Sequence, residues 1–304
     1  MYWVEPCPMY TVFTNTTKSS LKLPPRSNLI NYSLLSEYYC KIPFRSFSIK
    51  YVSGGYERYT INDTKFKVAS GEYILANNFS NGAVEIESKV PVTGLCIDLA
   101  PELLTDVVHT LLHPDVPPGD LSMNTFFDSD DFFESKFKSE DTHLGKILLK
   151  LDLMLSKNPY ENHQFDSAFY FHIAEQIVKD YTPIVQQLQR IEAVKSQTRK
   201  DLFRKVSAGY DHLNKNFAGA IDVPVVAAAC GLSEYYFYRL FKSVYGQSPM
   251  QFVIRKRLSY AHGLMKQHRL SVTEAATACG FADIHSFSKA FRKQYGSSPT
   301  KLMN

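Results

Sequence analysis

The sequence predicts a two-part α+β chain. An N-terminal β-barrel or sandwich with flanking helices is followed by an all-α bundle that uses one supersecondary unit twice. Three observations carry this. Short runs of period-two alternation fill residues 44–99, and apolar stripes at helical spacing follow from residue 101. The segment Cys230–Pro249, CGLSEYYFYRLFKSVYGQSP, then returns at Cys279–Pro299 as CGFADIHSFSKAFRKQYGSSP.

A chain of 304 residues has room for two domains, each with its own core. The pattern puts the first at 1–195, with strands over about 44–100 and helices over about 101–195, and the second at 199–304. Apolar residues make up 44% and charged residues 21%, the balance of a soluble globular protein. No run approaches the ~18 consecutive apolar residues of a membrane span. The start, MYWVEPCPMY, has no basic segment leading into an apolar one, so no secretory signal is expected. The five cysteines are odd in number and form no CxxC pair, which fits reduced thiols in a cytoplasmic protein.

The β-rich runs are RSFSIKYVSG, ERYTINDTKFKV, GAVEIES and TGLCIDL, broken at Gly54-Gly55, Asn62-Asp63, Ser70-Gly71 and Asn81-Gly82. Several short strands at regular spacing suggest a small barrel or sandwich. A His-ligated metal centre inside it lacks its ligands, because the first histidine, His109, comes after all of these runs. His109 and His113 stand at i, i+4 in HTLLH, but their flanks read as the end of an ordinary amphipathic helix. No metal and no cofactor is expected.

After the loop at 115–119 the chain turns helical. Leu144, Ile147, Leu148, Leu151 and Leu155 form one apolar stripe; Phe169, Ile173, Ile177, Ile184, Leu188 and Ile191 form another. They serve either packing against the β-rich part or a dimer seam. The polar stretch RIEAVKSQTRK at 190–200 reads as the link to the second domain, as a helix or a tether.

Charge separates the two parts. Residues 199–304 hold 16 Lys+Arg against 6 Asp+Glu, a net of +10, and residues 1–198 hold 18 against 24, a net of −6. A basic third points to a polyanionic partner.

Within the repeat, Phe237, Leu240, Phe241 and Val244 recur at helical spacing, as do Phe287, Ala290 and Phe291. The opposite face carries Tyr235, Tyr238, Arg239 and Lys242 in one copy and His285, Ser288, Lys289 and Arg292 in the other. A shorter helix precedes each. Asp222 is the N-cap of one, and Ser271 with Glu274 forms a capping box on the other. Gly231 and Gly280 supply the turns, and Ala227, Ala228, Ala275 and Ala276 allow close helix approach. Helix, glycine turn and helix with a polar outer face is a helix-turn-helix, expected over about 222–246 and 271–296. Gly246 and Gly296 end the second helices, and Ser-Pro starts the next ones. Between the copies runs a single helix, PMQFVIRKRLSYAHGLMKQHRL, which buries Phe252, Leu258, Ala261 and Leu264/Met265 and keeps Arg255, Lys256 and Arg257 at its rim. One continuous helix would hold two reading modules at the ~34 Å that separates neighbouring major grooves.

At these residues the chain resembles the AraC/XylS family of transcription regulators, over roughly Arg199 to the C-terminus. The specific signature is the GF…F…AF…YG.SP run at Gly280–Pro299, with Arg255–Arg257 and Ala261 on the linking helix. The resemblance implies a seven-helix bundle with both second helices in the major groove of double-stranded DNA. The reading residues it implies are Tyr235, Tyr238 and Arg239, then Ile284, His285, Ser288 and Lys289; Lys242, Arg255, Arg257 and Arg292 complete the expected DNA-binding set. Three departures stand out: Ala282 occupies the usual serine N-cap, leaving Asp283 as the candidate; Gly263 sits inside the linking helix; and tyrosines crowd the first reading face. The segment YVSGGYERYTINDTKFKVASGEYILANN more loosely resembles the cupin-like sensor domain that precedes this unit in the family.

The family implies a cytoplasmic homodimeric regulator, an activator, with a small-molecule effector in its N-terminal domain and RNA polymerase as a partner. The alternatives are a DNA-binding regulator controlled by a protein partner or by no effector, and a cupin-type enzyme fused to a DNA-binding module. The missing barrel histidines argue against the enzyme.

Overall fold

The structure is a computed structural model that describes residues 9–16, 28–44, 46–111, 123–193, 195–268 and 270–303. It divides into two compact units, Met1–Gln189 and Arg190–Asn304. The first is β-rich with helices; the second is helical.

The first unit is built on an eight-stranded sheet: β1 (Met9–Thr14), β2 (Leu29–Pro43), β3 (Phe47–Gly54), β4 (Tyr56–Ile61), β5 (Thr64–Ala69), β6 (Glu72–Ala76), β7 (Asn81–Leu99) and β8 (Ser135–Lys138). Its main path runs β1-β2-β7-β3-β6-β8, with β4 pairing both β5 and β7. Among the described residues no pairing joins β1 to β8, so the path does not close. The sheet curls on a shared core that includes Leu35, Val52, Tyr59, Ile61, Ile74 and Val84.

Three strand expectations need correcting. The runs at 82–88 and 93–99 are one strand, β7. Its register steps from Val92 opposite Leu35 to Glu87 opposite Glu37, so residues 88–91 face a single β2 residue. This bulge, with Val90 70% exposed, interrupts the alternation and splits the strand into two runs in sequence. The strands also begin well before residue 44. β2 escapes a period-two reading because Leu29, Ile30, Asn31, Tyr32 and Ser33 are all buried, leaving no polar face to alternate. Finally, the edge strand β8 lies in the region expected to be helical. At four residues it is too short to show a period, and it is held by pairing to β6 and by Phe137 stacked on Tyr73 at 5.3 Å.

The helices of this unit are α1 (Pro101–Leu111), α2 (Met123–Phe126), α3 (His143–Leu155) and α4 (Ser167–Gln189). Leu144, Leu148, Leu151 and Leu155 of the first expected stripe are buried, as are Ile173, Ile177 and Leu188 of the second. Much of each stripe is therefore already covered within the single chain. Leu149, Leu153 and Met154 remain exposed on the outer face of α3. His109 is exposed at the end of α1; His113 and the 115–119 loop lie outside the described residues.

The second unit has seven described helices: α5 (Ser196–Asn216), α6 (Val223–Ala229), α7 (Glu234–Tyr245), α8 (Pro249–His268), α9 (Val272–Ala278), α10 (Ile284–Tyr295) and α11 (Pro299–Met303). The stretch expected as a linker is part of it. Arg190 donates to the Val244 carbonyl at 3.0 Å, its own carbonyl accepts from Ser243 at 2.6 Å, and Ile191 is buried. Helix α8 spans both halves. Its first turns put Phe252 against Tyr210 and Phe241, and its later turns put Leu258, Ala261 and Met265 into the second core. Gly263 lies within α8 at ordinary φ, and a methyl there would meet nothing within 4 Å. Gly263→Ala is thus expected to raise stability by about 1 kcal/mol, checked by thermal unfolding, because alanine removes only backbone freedom from the unfolded chain.

Candidate nucleic-acid interface

Each half of the second unit builds its outer helix in the same way. Asp222 caps α6 by accepting from the Val225 amide, and Ser271 and Glu274 form a complete capping box on α9. The turns use left-handed glycines, Gly231 at φ 65° and Gly280 at φ 76°. Leu232 and Phe281 then donate back to Ala227 and Ala276 at 3.0 and 3.1 Å, satisfying carbonyls that a helix end leaves open. Ser233 caps α7, and Asp283 caps α10 by accepting from the Ser286 amide at 2.7 Å. Alanine at 282 therefore costs the second helix no cap.

The inner faces match. Phe237, Phe241 and Val244 are fully buried in one half, Phe287 and Phe291 in the other. The outer faces differ. On α7, Tyr235 (78% exposed), Arg239 and Lys242 face solvent and Tyr238 is half-buried. On α10, Ile284, His285, Lys289 and Arg292 face solvent and Ser288 is half-buried. Lys293, absent from the expected set, is exposed beside Arg292. The two helices thus present tyrosines with two cations on one side, and an imidazole, a hydroxyl and three cations on the other.

Two of the expected arginines have partners. Arg239 lies 3.5 Å from Glu192, both side chains largely exposed, so the pair is weak. Nothing in the spacing of 190–200 signals this contact. Arg257, expected to touch DNA, is half-buried, with its guanidinium on main-chain carbonyls. Its Nε and two terminal nitrogens donate to the carbonyls of Phe217, Gly280 and Gly219 at 2.6, 2.6 and 2.7 Å. A basic residue at a helix rim looks alike in sequence whether it points to solvent or to main chain. Arg255, two residues earlier, is exposed.

Residues 226–304 match the family model described as a helix-turn-helix domain. The C-terminal unit carries a helix-turn-helix domain. The chain is similar to the probable transcriptional regulator LumQ of Photobacterium leiognathi, 37% identical over 91 residues, which are 30% of this chain and 37% of that protein. The Msm operon regulatory protein of Streptococcus mutans is 23% identical over 172 residues, 55% of this chain and 60% of that protein. The transcriptional activator RhaS of Escherichia fergusonii is 36% identical over 90 residues, 30% of this chain and 32% of that protein. The chain thus spans less than two thirds of the length of these relatives. Among solved structures, the DNA-binding domain of AdpA in complex with a target DNA is 30% identical, covering 33% of this chain and 89% of that one at a TM-score of 0.32. ToxT of Vibrio cholerae with bound unsaturated fatty acid is 14% identical, covering 93% and 97% at a TM-score of 0.37.

The β-rich unit holds a second candidate site. Lys50 on β3 lies 3.7 Å from Asp98 on β7 and also contacts the Cys96 thiol, while Ser48 donates to Asp98. Burial works against the lysine charge, but Asp98 and then Cys96 outweigh it and hold the ammonium above its ordinary value. Nearby on β4, Tyr59 donates to Glu57, whose carboxyl is pushed up by burial. An open groove of about 1170 Å³ is lined by Tyr38, Tyr39, Tyr56, Arg58, Glu85 and Lys89, among others. Among the described residues, no group of three or more His, Cys, Asp or Glu could hold a metal ion, and no helix is long and apolar enough to cross a membrane.

Proposed function

We propose that this chain is a cytoplasmic DNA-binding transcription regulator that places α7 and α10 in successive major grooves of one double-stranded site. One observation carries the reading: two capped helices with matching buried faces and different exposed faces, joined by a continuous helix. A shared interior serves folding, and a divergent exterior serves two different sets of base pairs. Tyr235, Tyr238 and Arg239 read one half of the site; Ile284, His285, Ser288 and Lys289 read the other. Lys242, Arg255 and Arg292 meet phosphates, which position the protein without specifying sequence.

The β-rich unit acts as the sensor. Its groove, with aromatic walls and charges of both signs, suits a small polar organic ligand, and ligand binding must favour one arrangement of the chain over another to change DNA affinity. The protein works as a homodimeric activator with RNA polymerase as partner; RhaS, a relative, is itself named a transcriptional activator. The apolar stripes at 144–155 and 169–191 are largely covered within one chain, so the seam falls on another face, formed by the exposed Leu149, Leu153 and Met154 of α3.

The test is salt dependence. With three phosphate contacts from each protomer, about six for the dimer, affinity for duplex DNA is expected to fall about a thousandfold between roughly 50 and 200 mM salt, because each contact releases a condensed counterion. Titration of the full chain against labelled duplex measures this. A folded protein with no salt-sensitive binding contradicts the proposal.

A further inference from the structure

Arg257 sits where α8 changes hands between the two halves. Phe252, one turn earlier, packs in the first half against Tyr210 at 4.6 Å; Leu258, immediately after, belongs to the second core. From this position the guanidinium bridges the halves. It takes the carbonyls of Phe217 and Gly219, at the end of α5 in the first half, and the Gly280 carbonyl in the turn of the second half. Its carbon also lies 5.9 Å from the Phe281 ring centre. The two main chains come together here as well: a methyl on Gly280 would lie 2.2 Å from the Ala218 carbonyl oxygen.

We infer that Arg257 is a positioning residue that fixes the distance between the α7 and α10 faces, and so selects DNA sites by the spacing of their two halves. This rests on the DNA-reading function proposed above. The continuity of α8 keeps the halves attached but does not stop either from rolling about it. Three hydrogen bonds from a rigid planar fork, to main chain on both sides, oppose that roll. With reading helices about 34 Å apart, a pivot of about 10° at the midpoint moves one of them about 3 Å, close to one base-pair step. A lysine, with a single point charge, does not span three carbonyls in fixed geometry.

The experiment uses the full chain. A preferred duplex is first selected from random DNA with the wild-type protein, and affinities are then measured for that duplex and for versions with one base pair added or removed between its halves. Wild-type protein should bind the altered spacings at least about 30-fold more weakly, as losing the contacts of one half implies. Arg257→Met and Arg257→Lys, with wild-type circular dichroism, should discriminate among the spacings by less than about threefold. Arg255→Met, which removes an exposed cation, should weaken all spacings alike and keep the wild-type ratio. Undiminished discrimination in both Arg257 variants overturns the inference, and so does unfolding of both, which would make Arg257 a folding residue only. Failure of wild-type protein to select any duplex refutes instead the function on which the inference rests.

Discussion

Phe287→Ala is expected to destabilise the C-terminal unit by about 3–5 kcal/mol, the usual cost of emptying a fully buried aromatic site. Phe287 is 0% exposed, with Phe281 and Phe291 ring centres at 5.2 and 5.4 Å. Beside Leu258 and Met265, the same core holds the small side chains Ala261, Ala275, Ala276 and Cys279, which are too short to collapse into the space. Against a typical domain stability of about 5–15 kcal/mol, the loss is a large share. Phe237 is equally buried in the first half, and its ring fills the space that Gly209 leaves open: a methyl on Gly209 would lie 2.5 Å from it. The two halves have separate cores, so Phe287→Ala should loosen α9 and α10 while α6 and α7 stay protected. Hydrogen exchange by mass spectrometry reads this directly. Equal loss of protection in both halves would mean that they unfold as one.

Gly280→Ala should cost far more than Gly231→Ala, although the two glycines hold the same place in the repeat. Both have positive φ, 76° and 65°, so either substitution carries about 1–2 kcal/mol of left-handed strain. At Gly231 the nearest foreign atoms are the end of the Lys205 side chain at 3.9 Å, which can move aside. At Gly280 the methyl would meet the Ala218 carbonyl oxygen at 2.2 Å and its carbon at 2.9 Å, which are main chain. Relieving that overlap means separating the halves and stretching the Arg257 bonds, an added cost of about 1–3 kcal/mol. Thermal or urea unfolding of the paired variants measures the difference; equal values would show that the two turns are equally free.

The second unit was far more legible in sequence than the first, for a physical reason. Its helices are one-sided, so Phe237, Phe241, Phe287 and Phe291 stand out at a period that polar residues interrupt. Its caps are local, and Asp222, Ser271 and Asp283 each act on an amide three residues on. In the first unit, β2 is buried on both faces over Leu29–Ser33 and β7 bends through an exposed stretch, so alternation vanishes where those strands are strongest or most distorted. Non-local contacts were the other blind spot. Arg257 reaches carbonyls 40, 38 and 23 residues away, and Glu192 meets Arg239 from 47 residues off. No pattern within a helix encodes such partners.

The central claim is that α7 and α10 read different halves of one DNA site, and selecting preferred sites for two groups of variants tests it most directly. One group alters Tyr235, Tyr238 or Arg239; the other alters His285, Ser288 or Lys289. Each variant should lose about 1–3 kcal/mol where its side chain reaches a base edge, and should relax preference at those base pairs only. Two separate stretches of relaxed preference are expected, centred about one helical turn apart, one for each helix. Relaxation of the same base pairs by both groups, or unchanged preference in every variant, would contradict it.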